Sequence, residues 1–208
     1  MTKQLAKRFG LAVFVLCGFF SGSAALEPPA SKTVGNLRSA FNAESNARVR
    51  AEAFSVKADG EGFHQVASLF RAAAKAEEIH AGIFAGLIRQ MGEEPKAFLE
   101  TPVVLSTKEN VESTINTESY DAGVVYLGYI KQAEREGNPD AVRSFRWAEE
   151  TEKGRVRLFK GALTHLSSRM KGTRDTLVCS VCGLTTEDFS TRRCPLCHVP
   201  RGKFILVK

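Results

Sequence analysis

Four stretches of this 208-residue chain place a glutamate at the centre of an apolar spacing of seven: Leu37–Glu44–Ala51, Phe70–Glu77–Phe84, Val111–Glu118–Val125 and Phe145–Glu152–Phe159. Seven residues is close to two turns of an α-helix, so each trio lies on one face of its helix. A single such acid reads most simply as a solvated position on a helix surface. Four in matching positions point instead to a shared interior, where carboxylates repel one another unless cations sit among them. A pair of iron or manganese ions supplies that charge and uses oxygen ligands. One Glu from each of two helices and a Glu-x-x-His from each of the other two is the carboxylate dimetal arrangement. Glu77 and His80 provide one Glu-x-x-His, just under one turn apart and facing the same metal.

Punctuation along the chain agrees with a mostly α fold built around four helices. The first helix is expected from about Lys32 to Ala58, stopping at Asp59-Gly60, and the second from about Phe63 to Met91, stopping at Gly92. The third begins after Ser106-Thr107-Lys108-Glu109, which has the form of a capping box, and ends at Gly137. The fourth starts at Asn138-Pro139, with proline in the first turn, and runs to about Met170. Residues 92–106 form the longer crossover between two short-looped pairs, the ferritin-like variant of the four-helix bundle. The expected bundle spans 32–170, Lys171-Gly-Thr-Arg-Asp175 reads as a linker, and a cysteine-bearing domain covers 175–208.

That domain carries Cys179-Ser-Val-Cys182-Gly183 and Cys194-Pro-Leu-Cys197, two C-x-x-C knuckles separated by eleven residues. The four thiolates can share one tetrahedral ion, and Gly183 permits the turn that aims backbone N–H groups at sulfur. Paired knuckles argue for a metal over two structural disulfides. A tetrahedron of four sulfurs suits iron and zinc alike. His198 adjoins a ligand and reads as a surface residue.

The first 25 residues behave as a targeting segment. Lys3, Lys7 and Arg8 precede the apolar run Leu11–Phe20, and Ser21-Gly-Ser-Ala-Ala25 offers a cleavage point before Leu26. The apolar run is about ten residues, half of what a spanning helix needs. An uncleaved anchor is the alternative, and Cys17 follows a bulky Leu16 where a lipoprotein signal wants a small residue. The expectation is an exported, periplasmic protein. Without this segment the chain carries 26 basic against 23 acidic residues and no basic-aromatic cluster, so no nucleic-acid partner is implied.

Asn36-Leu-Arg-Ser-Ala-Phe-Asn-Ala-Glu-Ser-Asn46, Val66–Ala81, Glu118-x-x-Asp121 and Trp147-Ala-Glu-Glu-Thr-Glu-Lys153 resemble the helices of rubrerythrins, and Cys-Pro-x-Cys with Pro200 and Lys203-Phe204 resembles their rubredoxin-like tail. The resemblance implies that Glu44, Glu77, Glu118, Asp121 and Glu152 are ligands to a non-haem diiron pair. Glu77 and Glu152 would be bridges, and His80 a mobile ligand that enters on reduction. It implies iron at Cys179, Cys182, Cys194 and Cys197. It further implies reduction of hydrogen peroxide, electrons drawn through the four-cysteine iron from a donor the sequence does not name, and a homodimer.

Three positions depart from the family. Asp121 replaces a glutamate, Ala51 a tyrosine, and Arg155 the histidine of a second Glu-x-x-His. Arginine is permanently protonated and cannot ligate a metal. An alternative function is therefore a metal-binding or electron-carrier protein with a degenerate bundle site, and a third is iron storage.

Overall fold

A computed structural model of the chain describes residues 31–166 and 175–208. The expected signal segment, residues 167–170 of the expected fourth helix and residues 171–174 of the expected linker lie outside these. The bundle is made of α1 (Lys32–Gly60), α2 (His64–Gln90), α3 (Thr107–Tyr120), α4 (Tyr126–Arg135) and α5 (Pro139–Thr164). No described helix is long and apolar enough to cross a membrane. Several boundaries have a local cause. Ser31 caps α1 and Asn138 caps α5 ahead of Pro139, while Ser106 and Glu109 form the reciprocal capping box at α3. The α1–α2 and α4–α5 turns close on Gly62 and Gly137, both at positive φ.

The crossover 93–106 has no regular secondary structure and is fastened by side chains. Asn42 accepts from the Phe98 N–H (2.8 Å), while Asn46 accepts from the Glu100 N–H (2.8 Å) and donates to the Phe98 carbonyl (3.0 Å). Two apolar clusters fill the bundle on either side of its middle. One contains Phe54, Phe70, Val111 and Phe159, and the other Leu37, Phe84, Tyr126, Ile130 and Phe145. Phe70 meets Phe159 at 5.0 Å and Phe84 meets Phe145 at 5.4 Å between ring centroids. The acidic layer lies between these two walls.

The third predicted helix is interrupted. Asp121–Val125 is a π-helical segment joining α3 to α4. A π turn holds one more residue than an α turn and advances the register by one. The heptad reading put Val125 inward after Glu118. The inserted residue gives that place to Tyr126, which is buried, and Val125 is left only partly so.

Beyond the bundle, β1 (Thr176–Cys179) pairs antiparallel with β2 (Thr185–Thr186) and with β3 (Phe204–Val207), in the order β2-β1-β3. This small sheet packs on α2, where Val178 and Val207 meet Ala72, Ala76 and Ile79. Trp147 of α5 packs against the cysteine cluster.

Candidate metal centres

Each helix contributes its stripe acid to one buried layer: Glu44, Glu77, Glu118 and Glu152 are all buried. His80, one turn beyond Glu77 on α2, is buried with them. Its Nδ1 lies 3.2 Å from Glu77 Oε2 and 3.4 Å from Glu44 Oε1. Ligand atoms of Glu44, Glu77 and His80 lie within 4.8 Å of one another, a set that fits a metal ion. Glu118 and Glu152 stand outside that close group, and so does Asp121, which lines the same cavity from the start of the π segment and is half-buried.

Arg155 is the bulkiest of the fully buried side chains and points into the acid layer. Its Nε donates to Glu118 Oε1 at 2.9 Å, and Nη2 donates to Glu77 Oε1. The sequence placed it there by spacing, one turn after Glu152. What spacing left open was the choice of partners, which join α2 to α3 through α5. Glu118 Oε2, Glu152 Oε2 and Arg155 Nη1 have no hydrogen-bond partner. Buried oxygens of this kind suit a cation or water.

Two further groups were not foreseen. Tyr126 donates its hydroxyl to Glu44 Oε1, and it was hidden because heptad counting cannot detect a π insertion. Thr151 Oγ1 lies 3.1 Å from His80 Nε2, one residue off the Glu152 stripe, with no motif to mark it.

Protonation follows from burial and charge together. Burial pushes Glu44 up, but His80 beside it prevails and holds it at about 2. Burial pushes His80 down, and the facing carboxylates Glu44 and Glu77 raise it to about 9. Burial raises Glu77 and Glu118 to about 7 despite the guanidinium of Arg155. Burial, then repulsion from Glu44 and Glu77, raises Glu152 well above the carboxylate range. Protons must leave as cations enter, so loading releases protons.

In the small domain all four cysteines are free thiols. A tetrahedral site with metal–sulfur bonds of about 2.3 Å has edges of about 3.8 Å. The Cys179–Cys197 and Cys182–Cys194 sulfur separations are 3.6 and 3.5 Å, and all four sulfurs lie within 4.8 Å. Hydrogen bonding with Cys182 lowers Cys179 to about 5, the same pairing and burial raise Cys182, and burial raises Cys197 to about 11. Backbone N–H groups at Val181, Leu184 and Val199 act toward the thiolate at each. Gly183 and His198, each just after the second cysteine of its knuckle, take positive φ of 76° and 62°. Each donates its backbone N–H at 2.9 Å to the carbonyl of the first, Cys179 or Cys194. His198 is thus the turn counterpart of Gly183 and exposed, as read from the sequence.

The two centres touch. His80 Nε2 lies 3.1 Å from the Cys182 carbonyl oxygen, and a Cβ on Gly183 would overlap that nitrogen. A hydrogen-bonded path therefore runs from Cys182 through the imidazole to Glu77 and Glu44.

Comparison with known proteins agrees with this arrangement. The Rubrerythrin family profile matches residues 35–163. Nigerythrin of Nitratidesulfovibrio vulgaris is 30% identical over 175 residues, covering 83% of this chain and 85% of that protein. Rubrerythrin-2 of Clostridium acetobutylicum is 30% identical over 179 residues, covering 83% and 95%. The structure of fully reduced, all-ferrous nigerythrin superposes with a TM-score of 0.79 at 27% identity, covering 97% of this chain and 100% of that one. The family profile spans most of the bundle, and relatives at 30% identity cover both it and the greater part of the chain: the chain belongs to the rubrerythrin family.

Proposed function

We propose that this chain is a rubrerythrin-type peroxidase. Cys179, Cys182, Cys194 and Cys197 would hold an iron that takes up electrons one at a time, and hydrogen peroxide would be reduced at the bundle site. The step balances as one peroxide, two electrons and two protons giving two waters: the O–O bond breaks and both oxygens are reduced. Iron held by the acid layer would supply the electrons at the point of cleavage. The single observation that carries the reading is His80, whose two ring nitrogens face the two centres.

The chain's own residues supply position and protons. Thr151 and the Cys182 carbonyl fix the imidazole at Nε2, leaving Nδ1 toward Glu44 and Glu77. Tyr126 holds Glu44. Membership of a diiron oxidoreductase family favours this reading over an electron carrier with a degenerate bundle.

The test is anaerobic. Iron-loaded protein, reduced and freed of reductant, is mixed with one equivalent of hydrogen peroxide. Visible absorption of the oxidised four-cysteine iron should return as peroxide disappears. Absorption that stays bleached with peroxide still present would overturn the proposal.

Two further elements belong to it. Export to the periplasm rests on the composition of residues 1–25. A homodimer is supported by exposed apolar side chains on the crossover and nearby helices, including Val56, Phe98, Val103 and Val124; sedimentation giving a monomer at micromolar concentration would count against it.

A further inference from the structure

The acid layer is reached through a cavity of about 260 Å³ between α1 and α3 with its π extension. Hydrogen peroxide, with two heavy atoms, needs the room of about two waters, roughly 60 Å³. Setting aside roughly another 60 Å³ for a metal pair still leaves more than twice that room. The surplus has apolar walls on the α1 side, where Ala47, Ala51 and Phe54 share one face. Its far wall carries the short side chains of Thr114 and Thr117, and its floor carries Glu118 and Glu152, each with a buried Oε2 that has no partner. Arg50 and Asp121 both line the cavity and attract one another, so the pair selects neither anion nor cation.

We propose that this cavity is a substrate pocket for a small neutral alkyl hydroperoxide, its O–O group at the acid layer and its alkyl group against Ala47, Ala51 and Phe54. This rests on the peroxidase reading and names the substrate class of the same site. The O–O bond breaks. Two electrons from an external one-electron reductant, which iron held by the four cysteines would pass on singly, and two protons give one alcohol and one water. The alanines set the size limit: a branched side chain at 47 fills the space the alkyl group needs.

The experiment uses the full iron-loaded protein, reduced and freed of reductant, mixed with tert-butyl hydroperoxide or with hydrogen peroxide. Recovery of the four-cysteine absorption is the readout. The alkyl peroxide, roughly 180 Å³ on the same scale, should react within about tenfold of the rate with hydrogen peroxide. In Ala47→Leu the ratio of alkyl to hydrogen peroxide rates should fall by roughly tenfold or more. Ala43→Leu, at the exposed rim, provides a second variant that leaves the core untouched. Independently of turnover, tert-butyl alcohol should give a ligand-detected NMR signal with the wild type that both variants lose. Prompt reaction with hydrogen peroxide but a more than tenfold slower one with the alkyl peroxide overturns the pocket and spares the peroxidase reading. An unchanged ratio in both variants also overturns it. Failure to react with either peroxide removes both.

Discussion

Arg155 is the residue on which the metal chemistry of the bundle turns, and its replacement has a two-sided outcome. Without metal, its guanidinium is the permanent cation for Glu77 and Glu118, fully enclosed. Removing one partner from a buried charge network costs about 3–5 kcal/mol. Arg155→Met should therefore lower the midpoint of thermal unfolding of metal-free protein by roughly 6–20 °C at pH 8, where both carboxyls are mostly ionised. At pH 6 the loss should be smaller, because Glu77 and Glu118, held at about 7, can protonate. Metal must compete with that same cation. Arg155→His restores the Glu-x-x-His spacing after Glu152 and supplies a neutral ligand, so the bundle should bind iron more tightly and reach about two irons, or about three per chain with the cysteine site. Peroxide turnover should rise with it. The measurements are calorimetry of metal-free protein and iron analysis of reconstituted protein. If the wild type already holds about three irons, reduces peroxide as fast as Arg155→His, and neither substitution moves the metal-free midpoint, the competition argument fails.

Other expectations are simpler to state. Cys182→Ser should lose the iron and the red colour of the oxidised tail; retention of both would show the tetrad to be misassigned. Gly183→Ala forces a side chain into positive φ and onto His80 Nε2, so it should slow re-oxidation of the four-cysteine iron by peroxide while leaving its absorption intact; an unchanged rate would remove the contact from the electron path. For pH, raised groups stabilise the fold below their unfolded values, 4.5 for Glu77 and Glu118 and 6.5 for His80, and that stability is lost as pH passes about 7 and about 9. Metal-free protein should therefore lose unfolding temperature steadily between those limits, and a rise across pH 5–9 would contradict the charge assignment. The mature N-terminus should lie close to Leu26; intact chain recovered from the cytoplasm with Met1 in place would defeat the export proposal.

Much of the site was legible because burial and charge leave opposite marks in a sequence. An acid at the centre of an apolar heptad is conspicuous, and Glu44, Glu77, Glu118 and Glu152 all stand in the buried layer. C-x-x-C pairs are legible for a related reason, since few other geometries reward that spacing. Tyr126 was not legible, because its inward position depends on one extra residue in a turn whose sequence, Asp121-Ala-Gly-Val-Val125, carries no helix breaker stronger than glycine. Asp121 was expected as a ligand through the family resemblance of Glu118-x-x-Asp121; the π turn leaves it half-buried, and like Glu118 and Glu152 it stands apart from the close set. The contact of His80 with Cys182 joins residues 102 apart, and no local pattern reports such a meeting.

The π segment also separates two obligations that one rigid helix would have to meet together. α3 aims Glu118 at Arg155, whereas α4 seats Tyr126, Ile130 and Ala133 in the aromatic wall. Deleting one residue within 121–125 would turn α4 by about 100° relative to α3 and swing that seat out of the wall. Conversely, the wall can drift in sequence without re-aiming the acid. The extra residue acts as a clutch between a half that aims Glu118 and a half that fills the wall while reaching Glu44 through Tyr126.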